Sequence, residues 1–142
     1  MKGASVGTVL ALTTAAALAG CAGGAARAPR AEGPAQDVAN VVKALERATA
    51  EKDYNEICFE LLSDRVRAEV GGVRCPGRLR RTAGEIEDPR IQIRTIRLRG
   101  DEATVDVVTS ARGQAPAPDA IELARERGRW RISALGQQTG EE

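Results

Sequence analysis

Few side chains in this 142-residue chain could do covalent or acid–base chemistry, and their types narrow the options quickly. There is no histidine. His-dependent triads, His-containing zinc sites and haem held by a proximal His are therefore excluded, and the group that most readily moves protons near neutral pH is missing. Tyr54 is the single phenol. The carboxylates that could work with it, Asp106 and Glu122, fall on the polar phase of alternating segments, which turns them toward water. Three cysteines are present, Cys21, Cys58 and Cys75, and the spacing of the last two is that of neither a redox motif nor a zinc site. Arg97, Arg99, Arg129 and Arg131 occupy outward phases of predicted strands. They make either a basic stripe for an acidic partner or solvated charges that pair with Glu102, Asp106 and Glu122. No catalytic set, metal site or cofactor is assigned from these residues.

The elements that must position these groups belong to one modest domain, because 142 residues leave no room for two substantial cores. Charges nearly cancel, with 21 Lys and Arg against 20 Asp and Glu, which argues against a nucleic-acid partner. Lys2 is the only charged side chain before Arg27, and Val6 to Leu18 is an apolar stretch followed by Ala19 and Gly20. That pattern is a secretory leader over residues 1–20. Its apolar run falls short of the 18 or more residues needed to cross a bilayer as a helix.

The sequence Leu18-Ala19-Gly20-Cys21 resembles the lipobox of bacterial lipoproteins. The resemblance implies that Cys21 receives a diacylglycerol thioether, that the leader is cut before it, and that the new amino terminus is acylated, for example with palmitate. Two or three acyl chains hold a protein stably to a membrane at about 0.8 kcal/mol per buried CH₂, where one holds it only marginally. The chain is then expected on the extracytoplasmic face of the cell membrane. Assigning Cys21 to lipid leaves Cys58 and Cys75 as an even pair in a compartment where disulfides persist, so they read as a structural crosslink; two buried free thiols are the alternative. Residues 21–35, rich in Ala, Gly, Pro and Arg, read as the lipidated Cys and a flexible tether.

The folded part is expected over residues 36–135. Val38, Val41, Val42, Leu45 and Ala48 share one helical face, and Asp37 is placed to cap a helix running to Lys52. Asp53 and Glu56 have the form of a capping box opening a second helix, with Tyr54, Ile57, Cys58 and Leu61 as its apolar stripe. Ser63 is placed to cap a short third helix that Gly71-Gly72 ends, and Pro76 suits the first turn of a fourth. The period then changes to two. Ile91 and Ile93, then Ile96 and Leu98, alternate with a slip at Arg94-Thr95 that predicts a bulge, and Gly100-Asp101 predicts a turn into Ala103, Val105 and Val107. Gln114 to Pro118 reads as a loop. Ile121, Leu123, Trp130 and Ile132 make a last hairpin turning at Arg127-Gly128, and residues 136–142 are expected to fray.

Helices first and antiparallel strands second predict an α+β domain with helices packed on one face of a curved sheet of about four strands. The long amphipathic helix, the Asp53-Tyr54 opening of the second helix and the closing Trp130-Arg131-Ile132 strand resemble the nuclear transport factor 2-like cone and the small actinobacterial lipoproteins built on it. The resemblance implies a pocket between sheet and helices, for which Tyr54, Leu61, Ile96, Val105 and Trp130 are the candidate lining. Two functions follow from it. The first is a membrane-anchored module of the cell envelope that binds a small apolar ligand or an envelope protein. The second is a small extracytoplasmic enzyme like the steroid isomerases, which needs a Tyr hydroxyl, a neutral carboxyl and a carboxylate base inside the pocket. For Tyr54 itself, ordinary amphipathic behaviour predicts a half-buried ring with its hydroxyl at the rim.

Overall fold

A computed structural model describes residues 33–135. The expected leader, lipobox, most of the tether and the tail lie outside these residues. Helix α1 is Pro34–Glu51. It begins inside the segment read as tether, because Pro34 in the first turn has the φ a helix needs and lacks an N–H that would go unused there. Asp37 is therefore not the cap; it lies in the first turn, where its charge opposes the helix dipole. Val38, Val42, Leu45 and Ala48 are buried along one face, as their spacing predicts.

Asp53 caps α2, Tyr54–Glu56, accepting a hydrogen bond from the Glu56 N–H at 3.0 Å. The reciprocal half of the expected capping box does not form, since the Glu56 carboxylate is held by Arg47 at 2.5 Å. The helix runs on as a π-helical turn, Ile57–Leu61, and this wider turn lets Ile57, Cys58 and Leu61 all face inward while Phe59 and Glu60 face out. Arg131 closes that turn from the far end of the chain by donating to the carbonyls of Phe59 and Glu60. Ser63, itself buried, caps α3, Asp64–Glu69, through the Val66 N–H. Gly71, at φ 119, ends it in the left-handed region, and a 3₁₀ turn, Gly72–Arg74, leads into α4, Cys75–Ala83. Cys58 and Cys75 lie at disulfide-bonding distance with Cα atoms 6.0 Å apart, joining the π turn to the start of α4.

The four strands β1 (Arg90–Arg99), β2 (Glu102–Ala111), β3 (Gln114–Glu126) and β4 (Arg129–Leu135) form one antiparallel sheet in sequence order. The bulge and turn predicted for the first hairpin are met, and they set Leu98 opposite Ala103, Ile96 opposite Val105 and Ile93 opposite Val107 across Arg94. The turn at Arg127-Gly128 also stands where expected, both residues at positive φ. The segment Gln114 to Pro118 is a correction: it is the first half of β3, with Ala117 opposite Thr109 and Pro118 opposite Val108, and the turn is Arg112-Gly113. Proline is tolerated there because the described part of β4 pairs with β3 only from Ile121 onward, which leaves that flank of β3 an edge.

Helices cover one face of the sheet. Ala103, Val105, Val107, Ile121, Leu123 and Ile132 are buried against Val38, Val42, Leu61 and Leu62 in one core. The β4 edge is covered in turn, since Leu62 bridges Ile132 in parallel and the Ser63 N–H donates to the Ile132 carbonyl at 2.9 Å. No described helix is long and apolar enough to cross a membrane.

An ion cluster ties α3 to the β3–β4 turn, with Asp64 taken by Arg127 at 2.7 Å and by Arg67 at 2.8 Å. The Arg127 hydrogen bond and charge hold the Asp64 carboxyl below its ordinary value of 3.8. A carboxyl depressed in the folded state adds stability that is present above pH 3.8 and is lost as the pH falls through the lower folded value. The pair is exposed, so the effect is small and salt-screened. Urea midpoints measured between pH 2 and 6 should fall less steeply at the acid end in Asp64→Asn than in the wild type; parallel profiles would remove this role.

Candidate functional site

Among the described residues, two concavities lie where helices meet the sheet. The larger, about 520 Å³, is an open cleft between α1, the π turn and the β3–β4 turn, where Leu61 and Trp130 meet Asp37, Asn40, Glu60 and Arg129. Its charges are largely spent, because Arg47 holds Glu56 and Arg129 holds Glu60 at 3.1 Å. Arg125 lies over the Trp130 ring at 4.9 Å.

The second is a cavity of about 300 Å³ between α1, α2, α4 and the ends of β1 to β3. Leu45, Ile57, Leu79, Ala83, Ile86 and Ile91 make its apolar walls, and Thr49, Tyr54, Arg90, Ser110 and Gln114 supply the polar groups. Mostly apolar walls with a few placed polar groups are the usual form of a small-molecule site. Its rim is held from α1 by Lys52, whose Nζ donates to the Gly84 carbonyl at 2.5 Å and pairs with Glu87 at 3.2 Å. The other side is held where the Arg112 N–H donates to the Glu87 carbonyl at 2.8 Å and its guanidinium pairs with Asp88. The 84–88 segment at this rim is thus held from two sides.

Tyr54 lines this cavity, but its hydroxyl does not stand at the rim as expected. The residue is 3% exposed, Arg80 lies 6.0 Å over the ring, and the hydroxyl is buried with no hydrogen-bond partner among the described residues. α4 packs against α2, and a β-carbon at residue 84 would stand 3.9 Å from the phenol oxygen. Of the other candidate lining residues, Leu61 and Trp130 belong to the open cleft, Val105 is fully buried core, and Ile96 packs half-buried against the core on β1. The five do not share one cavity. Leu79, Ala83, Ile86, Arg90 and Ile91, which do line it, carry no local signal of the role; only the long-range packing of α4 and β1 brings them to Tyr54.

No Asp or Glu lines the cavity among the described residues, so the carboxyl groups that isomerase chemistry requires do not assemble around Tyr54. Asp106 lies on the outer face of the sheet, held by Arg97 at 2.6 Å and 3.1 Å, and Glu122 lines a separate concavity of about 310 Å³ with Glu102, Thr104, Arg65 and Ser133. Nor do the four arginines form one stripe. Arg97 and Arg99 are on β1 and Arg129 and Arg131 on β4, at opposite edges of the sheet, with Glu102, Asp106 and Glu122 on the strands between. Arg129 and Arg131 turn toward the π turn, where they bond Glu60 and the Phe59 and Glu60 carbonyls.

A helical layer under a curved antiparallel sheet, with a cavity between them, is the nuclear transport factor 2-like fold, and this chain has it. The solved structures it resembles include the designed protein Rd1NTF2, at 11% identity and a TM-score of 0.55 over 71% of this chain and 96% of that one. A SEC-C motif containing protein from Rhodopseudomonas palustris matches at 18% identity and 0.53, over 67% and 73%. The de novo designed NTF2 fold protein NT-9 matches at 17% and 0.50, over 75% and 89%. No protein-family model matches the sequence, and no curated protein matches it. At these identities the likeness is one of fold alone.

Proposed function

We propose that this chain is a small-ligand binding module of the cell envelope, anchored at the extracytoplasmic face of the membrane through lipid on Cys21. The observation that carries the binding reading is the concavity of about 300 Å³ whose walls are mostly apolar with a few polar groups among them. The anchoring reading is supported by the apolar leader, by Leu18-Ala19-Gly20-Cys21 and by the Cys58–Cys75 pair, since disulfides persist outside the cytoplasm.

Native mass spectrometry of the purified chain tests the binding reading. A small molecule should co-purify with the wild type and be absent from Ala83→Phe, which fills the cavity from α4. Equal masses bound to both would move the ligand elsewhere, and none bound to either would count against a binding module. Anchoring is tested separately on protein from native cells. The intact mass should lack residues 1–20 and carry a diacylglycerol thioether, and Cys21→Ala should release the chain from membranes. Retention of Met1 with an unmodified Cys21 would overturn it.

A further inference from the structure

We propose that the outer face of α4 and the turn before it dock on an anionic bilayer surface, with Arg74, Arg78 and Arg81 on lipid phosphates and Val73 among the headgroups. Positive charge is concentrated here, since residues 70–84 hold four arginines and no acid in a chain whose charges nearly cancel. Arg74 stands at the N-cap of α4, and Arg78 and Arg81 follow it at i+4 and i+7. The three therefore share one exposed stripe of the helix, while Leu79 and Ala83 wall the cavity from its other side. Arg80 is set apart from the stripe, over the Tyr54 ring. Gly77 lies on the same stripe between the three and has no side chain to keep an anion away from them.

The fold does not neutralise this stripe among the described residues. The elements packed against α4 include α2, the π turn and the 3₁₀ turn. Their acids are engaged elsewhere, Glu56 by Arg47 and Glu60 by Arg129, and Glu69 at the end of α3 pairs with Arg65. Glu85 follows the C-cap Gly84 and makes no ion pair with the stripe. Arginines of the sheet are interleaved with acids instead, since Arg97 pairs with Asp106 and Arg99 stands in register with Glu102. Charge alone suits any polyanion, and Val73 narrows the choice. It is 87% exposed, the most exposed of the large hydrophobic side chains described, and it directly precedes Arg74. Cations beside an exposed apolar side chain match the headgroup region, which offers phosphate and apolar depth together, whereas a polyanion in water offers Val73 nothing. A nucleic acid fits less well, because the stripe is about 10 Å long and no wider basic footprint surrounds it. The face does not need the lipid on Cys21, so its test leaves that residue out.

Co-sedimentation tests residues 22–142, which hold the whole described fold without the apolar leader, against vesicles of phosphatidylcholine alone or with about a third phosphatidylglycerol. At low salt the chain should bind the anionic vesicles about a hundredfold more tightly than the neutral ones, about fivefold for each of the three arginines, and about 0.5 M salt should remove the difference. Arg78→Gln with Arg81→Gln should lose about 25-fold. Arg94→Gln with Arg99→Gln, the same loss of charge on β1, should change binding less than about twofold. Val73→Ser should weaken binding to the anionic vesicles about fivefold and leave binding to dextran sulfate unchanged. Wild-type thermal midpoints in these variants confirm that the fold is intact, since every changed side chain is exposed. Equal binding to the two kinds of vesicle, or equal losses from the α4 and β1 pairs, would overturn the docking face. Unchanged vesicle binding in Val73→Ser would overturn the bilayer as its partner in favour of a soluble polyanion.

Discussion

Reducing the Cys58–Cys75 bond should lower the stability of the domain by about 3 kcal/mol, since the crosslink closes a loop with a sequence separation of 17 and removes that much chain entropy from the unfolded state. The bond lies in the core, with both cysteines fully buried, so it also fixes α4 against the π turn. For a domain of this length such a loss lowers the melting temperature by roughly 15 °C. Thermal unfolding followed by circular dichroism, with and without reductant, measures it directly. A double Cys58→Ala, Cys75→Ala variant should unfold near the reduced wild type and no longer respond to reductant. A reductant-insensitive midpoint in the wild type would show that the two thiols are free. Because Leu79 and Ala83 wall the cavity from α4, reduction should also weaken ligand retention before the sheet unfolds.

Leu123→Ala should cost about as much again, roughly 3 kcal/mol within the 2 to 5 kcal/mol seen for buried leucines. Leu123 is 1% exposed at the centre of the sheet, in register with Ala103 on β2 and Ile132 on β4. Ala103 is too short to move into the space left behind, so the cavity stays open and the lost contacts are not recovered. Leu98→Ala is the matched control, because the same side chain on β1 is 42% exposed and has little burial to lose. It should cost below about 1 kcal/mol. Denaturant midpoints for the two variants compare them on one scale. Similar losses would mean that the core is not centred on the β2–β3–β4 face. With typical stabilities of 5 to 15 kcal/mol, Leu123→Ala combined with reduction should leave the domain near its unfolding limit.

Local rules carried most of the backbone. Asp53 and Ser63 cap the helices they precede, Gly71 ends α3, and the slip at Arg94 becomes a bulge with the register that alternation requires. These features depend on side chains within a few residues of the backbone groups they satisfy, and a pattern in the chain is enough to place them. The exceptions have a common cause. Gln114 to Pro118 is strand because it pairs with Val108 and Thr109 of β2, Glu56 leaves its capping role because Arg47 arrives from α1, and Trp130 turns into a cleft covered by Arg125. Each was decided by a contact between elements rather than by the pattern inside one.

The sequence by itself determined the α+β order, the Asp53 and Ser63 caps, the turns at Gly100-Asp101 and Arg127-Gly128, the bulge of the first hairpin and the half of the sheet that faces the core, because these follow from propensity and from the two periods of hydrophobicity. Only the tertiary structure decided that Tyr54 is sealed rather than rimmed, that the arginines of β1 and β4 stand at opposite edges, and that α4 and β1 wall one apolar concavity. A cavity is made by the space between elements. Its walls come from residues far apart in the chain, and no local spacing brings Leu79 and Ala83 of α4 to Arg90 and Ile91 of β1 until the whole domain has packed.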